Sequence, residues 1–131
     1  VMSIRQGNNQ NVADNVSADE LLERNLADLF GAIGRLKSYT DDIGREGLED
    51  AMRRDAVSHN FGLIAHAVLG LQDISGFQKY ESILDRWLKF SWEFTWKSPE
   101  VIEWDMVWEI LQGDLPLLEV ELARIAAAEC Q

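Results

Sequence analysis

His59 and His66 lie seven residues apart, two turns along one face of any helix that holds them, and Asp55 stands four before His59. Imidazoles and a carboxylate on one helix face are the raw material of a metal site. The H-E-x-x-H pattern is absent, however, and no second segment supplies an opposing carboxylate pair. Asp55, His59 and the adjoining Asn60 therefore read as polar groups at a helix interface, and no metal ligand set is expected. The acid pairs Asp19-Glu20, Asp41-Asp42 and Glu49-Asp50 fit helix-end charges better than a general acid and base. Neither G-x-x-x-x-G-K-[ST] nor G-x-G-x-x-G occurs, so no nucleotide cofactor is expected. Cys130 has no neighbours that would activate a nucleophile.

Aromatic residues offer a second kind of chemistry. The stretch KFSWEFTWKSPEVIEWDMVWE, residues 89–109, holds four of the chain's five tryptophans. Trp92 and Trp96 are one helical turn apart, as are Trp104 and Trp108, with Lys97-Ser98-Pro99 between the pairs. Rings at this spacing build a helical core, or, where two helices meet at one end of a bundle, a pocket that stacks a small ligand. A surrounding excess of acid would favour a cationic or neutral apolar ligand there.

The elements that position these residues are all helical. Residues 1–16 are polar, asparagine-rich and without period, and read as a flexible arm ahead of a single domain over 17–131. Ser17 and Glu20 have capping-box form, and Leu22, Leu26, Leu29, Ile33 and Leu36 follow at helical spacing, with Gly44 as a stop. A second helix is expected from Leu48 to Leu71, with Met52, Ala56, Leu63, Ala67 and Leu71 near its apolar face and Gly62, Ala65 and Ala67 allowing close approach. A third begins near Phe77 and ends at Pro99. A fourth runs from Glu103 to about Ala127 at unbroken 3–4 spacing, kinked at Pro116, which cannot donate to the carbonyl of Gln112. Nothing reads as a strand. The expected fold is an all-α, antiparallel, up-down four-helix bundle.

Totals narrow the partners. The 131 residues suit one domain, and 47% hydrophobic content with two prolines suits a packed core. Twenty-three acids against twelve Lys and Arg leave a net charge of -11, which repels DNA and RNA phosphates over long range. No stretch approaches the ~20 apolar residues of a membrane helix, and no basic-then-apolar start marks a secretory signal. One cysteine, with no internal partner, points to a reducing cytoplasm.

Two segments carry a family resemblance. RRDAVSHNFGLIAHAV, residues 53–68, is similar to the second-helix signature D-A-V-x-[basic]-N-x-x-x-I-[GA]-x-A of the HepT-like family of HEPN-type four-helix proteins. Asp55, Ala56, Val57, His59, Asn60, Ile64, Ala65 and Ala67 match it. IEWDMVWEILQGDLPLLEVEL, residues 102–122, resembles the family's last helix through Val107-Trp108 and Asp114-Leu115-Pro116. The resemblance spans about residues 20–125. It implies a homodimeric bundle, akin to nucleotidyltransferase substrate-binding subunits, paired with a minimal nucleotidyltransferase in a toxin–antitoxin system. It further implies a metal-independent RNase whose R-x(4-6)-H-x-Y motif closes the third helix. There the His would move the 2'-hydroxyl proton, the Arg would steady the phosphorane, and the Tyr would take the silencing adenylyl group.

At that place this chain departs from the family. Counting back from Val107-Trp108 puts Trp92-Glu93 at the Arg-Asn, Lys97 at the His and Pro99 at the Tyr. Arg86 can supply an arginine, but no register restores the motif, and a lysine ammonium is a poor base. The expectation is a HepT-like bundle without the standard RNase residues, acting by binding a nucleotidyltransferase-type protein or a second copy of itself. The binding residues expected are Arg86, Trp92, Trp96 and Lys97 on the third helix and Asp55, His59 and Asn60 on the second. Two alternatives stand beside it: RNA cleavage by a rebuilt site using Arg86, Lys89, Lys97 or His59 and Asn60, and a small-molecule site at the tryptophans.

Overall fold

Leu22, Leu26, Leu29, Ile33 and Leu36 are all buried along one stripe of α1 (Met2–Thr40). A computed structural model describes residues 2–130, with side chains over 19–130 apart from Thr95 and Pro99. The flexible arm expected over residues 1–16 falls on residues whose side chains lie outside that set. Along the backbone α1 runs from Met2, so Ser17 lies inside the helix instead of at its start. With no proline before it, each residue added to an existing helix gains a hydrogen bond without the cost of a new nucleus. The helix also stops before Gly44, at Thr40, whose hydroxyl donates to the Leu36 carbonyl at 2.9 Å. Gly44 has φ -91°, an extended residue rather than a left-handed stop.

A 3₁₀ turn at Arg45–Glu49 buries Leu48 ahead of α2 (Ala51–Gln72), which starts three residues later than expected. Asp50 is its cap, accepting from the Arg53 amide at 3.0 Å. The apolar face also differs from the expected one. Met52 is 81% exposed, whereas Val57, Phe61, Ile64, Val68 and Leu71 are buried. The reason is position: α1 packs on one side of α2 and α3 (Glu81–Trp96) on the other, so two stripes are covered instead of one. Arg35 meets Asn60 while Asn25 lies against Gly70, so α1 and α2 run antiparallel. A Cβ on Gly70 would come within 2.5 Å of the Asn25 amide, making Gly70 a point of close approach. Gln72 donates to Asp85 at 2.8 Å and Phe61 stacks on Phe94, so α2 and α3 are antiparallel too.

A second 3₁₀ turn, Phe77–Tyr80, follows Gly76, whose φ of +92° suits glycine alone. The break expected at Lys97-Ser98-Pro99 is present: Lys97 and Ser98 are extended, and Pro99 opens a third 3₁₀ turn to Val101. Next come α4 (Trp104–Glu109), a π turn over Ile110–Asp114, and α5 (Leu115–Glu129), continuous in backbone as a fourth rod. Trp104, Val107, Leu111, Leu115, Leu118, Leu122 and Ile125 are buried along it as the 3–4 spacing requires. The irregularity foreseen at Pro116 takes the form of this π turn just before the ring, where Leu115 bonds back to the Ile110 carbonyl. Widening the turn relieves the crowding that a proline ring causes in α register. No strand occurs among the described residues.

Gly113 sits in the π turn, where an added Cβ would meet nothing within 4 Å. Gly113→Ala should therefore raise stability by about 0.4–1 kcal/mol, because the unfolded chain loses freedom and the folded one meets no clash. Thermal unfolding checks this as a rise of a few degrees.

Beside the end of α5, Glu129 accepts from Tyr80 Oη at 2.7 Å and pairs with Lys79 at 2.9 Å. Hydrogen bonds from Lys79 and then Tyr80 hold the Glu129 carboxyl below its ordinary 4.5, while the bond to Glu129 raises both Lys79 and Tyr80. A lowered carboxylate stabilises the fold above its unfolded value and loses that contribution as pH falls. Raised Tyr and Lys groups lose theirs as pH rises through the folded values. The urea midpoint gap between the native chain and Glu129→Gln should thus be flat at neutral pH. It should shrink below the ordinary carboxylate range and again above the ordinary tyrosine value of 10.0.

Candidate functional site

Four rings set the geometry of the α2–α3–α4 side. Phe61 is fully buried and stacks on Phe94 with centroids 4.5 Å apart and planes 11° apart. Phe90 meets Phe61 edge-on at 5.1 Å and Phe94 at 5.5 Å. Trp104 closes the row, its ring 6.3 Å from Phe94 and 5.1 Å beneath the Arg54 guanidinium. Arg54 is held in turn by the Leu48 carbonyl and by Glu49, and Arg45 bridges Glu49 to Asp105 on α4. This clamp fixes the start of α4 against α2.

Beyond it the backbones of α3 and α4 touch only sparsely. Between them lies a cleft of about 450 Å³ with Phe90, Phe94, Ile102 and Val107 as its apolar floor. Lys89, Glu93 and Lys97 stand on the α3 wall, and Glu103 and Met106 on the α4 wall. Phe90 is shared with a second hollow of about 150 Å³, where Arg86 faces Ile110 and Asp114 of the π turn. The two hollows adjoin at Phe90, and together they are called the groove below.

The tryptophans do not share a cavity. Trp104 is 4% exposed and belongs to the core, and Trp108 is half-buried against it. Trp96 is 76% exposed and touches the edge of Trp92 at 6.4 Å, while His66 meets Trp92 at 6.5 Å. Trp92 and Trp96 with Lys89, Glu93 and Lys97 make an open notch beside the groove. Val101, 62% exposed, and Met106, 50% exposed, continue the apolar surface past the α3–α4 turn.

Trp92, Trp96 and Lys97 line the open notch together, whereas Arg86 lines the second hollow. Asp55 and His59 are exposed on α2, and no three His, Cys, Asp or Glu groups among the described residues gather as a metal set. Asn60 is buried elsewhere, in the α1–α2 interface: its Oδ1 accepts from Arg35 Nε at 2.7 Å, and its amide donates to the Ala56 carbonyl at 2.8 Å. It is a structural polar group rather than part of the groove. Asn60→Ala should cost about 1–3 kcal/mol in urea unfolding and leave binding at the groove unchanged.

Lys97 bonds Glu93 at 2.7 Å, and that bond raises its pKa further above the ordinary range. Its ammonium can hold an anion but cannot take up a proton as a base at neutral pH. The floor residues Phe90, Phe94 and Ile102 and the rim residue Met106 were not foreseen as site residues. Their signal was present: Phe90 and Phe94 repeat at four with Lys89 and Lys97 beside them. In comparisons with known proteins, no family model, no curated protein and no solved structure matches this chain.

Proposed function

We propose that this chain is a HepT-like, HEPN-type antiparallel four-helix bundle whose RNA-cleaving residues have given way to a binding surface. It works, in this reading, by holding a protein partner in the cytoplasm, either a nucleotidyltransferase-type protein or a second copy of the chain. The observation that carries the proposal is the exposure of Trp96, Val101 and Met106 around the mouth of the α3–α4 groove. That is where the resemblance expects Arg, His and Tyr. Exposed large apolar groups clustered beside an apolar cleft are what a docking surface offers and what a hydrolytic site does not need. The groove contains neither imidazole nor phenol, and its one residue at the expected His position is ion-paired.

The test has two arms. Purified chain should leave tRNA and mRNA intact at high protein concentration. The same chain, tagged in its native host, should elute with a nucleotidyltransferase or as a dimer. Cleavage that Lys97→Ala or Arg86→Ala abolishes would restore the enzyme reading.

A small-molecule site is a second reading, favoured by the cleft's volume of about 450 Å³ and apolar floor, which fit a drug-sized ligand. A cationic or neutral aromatic ligand seated there would quench the nearby indoles and raise the melting temperature. Absence of both effects across an aromatic-amine panel removes it.

A further inference from the structure

Arg86, Lys89 and Glu93 follow one another at steps of three and four, so they share one face of α3, and Lys97 just past its end extends that wall of the groove. Glu93 is taken up by Lys97. Arg86 and Lys89 enter none of the ion pairs among the described residues, and neither do Glu103 and Asp114 on the opposite wall. The groove therefore has an apolar floor, an α3 wall with Arg86, Lys89 and the Glu93–Lys97 pair, and an opposite wall with Glu103, whose charge reaches Lys97, and Asp114.

We propose that this groove receives an amphipathic helix of two to three turns from a partner protein. Its apolar stripe lies on Phe90, Phe94, Ile102 and Val107, its acidic edge faces Arg86 and Lys89, and its basic edge faces Glu103 and Asp114. The inference rests on the protein-binding reading and adds the chemistry of the partner. Length supports it: the eleven steps from Arg86 to Lys97 give about 16 Å of wall, the span of three helical turns. Helix is the fitting form because it satisfies its own backbone, whereas a strand would find no edge to pair with. A helix acidic on both edges would be repelled by Glu103 and Asp114, and one basic on both edges by Arg86 and Lys89. The opposed charges also set the direction in which the helix lies, since reversing it exchanges the edges.

Three labelled three-turn peptides with the same apolar stripe test this against the full chain, by fluorescence anisotropy at about 0.15 M salt. One carries an acidic and a basic edge, one two acidic edges and one two basic edges. The mixed peptide should bind at least tenfold tighter than either other. Arg86→Glu combined with Lys89→Glu should transfer the preference to the peptide with two basic edges. Both positions are exposed, so the melting temperature should stay put. Equal binding of all three, or tightest binding of the doubly basic peptide to the native chain, overturns the inference, because the net charge alone would produce the latter. If no peptide binds while the chain still holds a partner or a second copy through Trp96, the helix falls and the protein-binding reading stands. If no peptide binds and the chain is also alone in solution and in its host, both fall.

Discussion

Phe61→Ala lowers the unfolding free energy by about 3–5 kcal/mol, a large share of the 5–15 kcal/mol expected of a domain. Phe61 has no exposed surface, and its ring is sandwiched in the Phe94 stack and the Phe90 edge contact. Removing it leaves a cavity between α2 and α3, since neighbouring rings cannot close a gap of that size without leaving their own contacts. Phe90 and Phe94 are also the floor of the groove, so the loss loosens the site as well as the core. Phe61→Leu, which keeps most of the volume, should cost far less. Urea unfolding of the two variants checks the pair of values. A cost near 1 kcal/mol for the alanine would mean that the aromatic row does not hold α2 to α3.

Trp96→Asp weakens partner association by at least about 30-fold, the loss typical when a tryptophan anchor at a protein interface is truncated. The fold should not notice the change. Trp96 is 76% exposed, and its one described ring contact is the edge of Trp92. Calorimetry or light scattering on the native and variant chains, beside their melting curves, separates binding from folding. A melting temperature that falls together with affinity would place Trp96 in the structure instead of the interface.

How far the sequence reveals this molecule depends on what each residue has opposite it. The last rod was legible because a single stripe of it is buried, and Trp104 through Ile125 mark that stripe at every turn. Pro99 was legible because its effect on the preceding residue is local. The second helix was not, since Val57 and Phe61 face one neighbour while Met52 faces none, and spacing alone cannot say which helix lies across. Asp50 was hidden as a cap inside the run Leu48-Glu49-Asp50-Ala51, where three positions could begin a helix. At the site, Trp92-Trp96 and Trp104-Trp108 carry identical spacing, yet Trp96 ends exposed and Trp104 buried, while Trp92 and Trp108 are both half-buried. The groove lies where the backbones of α3 and α4 touch only sparsely, a tertiary feature that no local pattern records.

The central proposal is that the Trp96–Met106 end of the molecule binds a protein where the resemblance to the HepT-like family would place RNA-cleaving residues. The most direct measurement is the mass of the complex purified from the native host at native abundance, for the tagged chain and for Trp96→Asp combined with Met106→Glu. The native chain should elute at a discrete mass above one chain, two copies or one copy with a nucleotidyltransferase, and the variant as a single folded chain. A native chain that elutes alone, or a variant that keeps the same complex, contradicts the account.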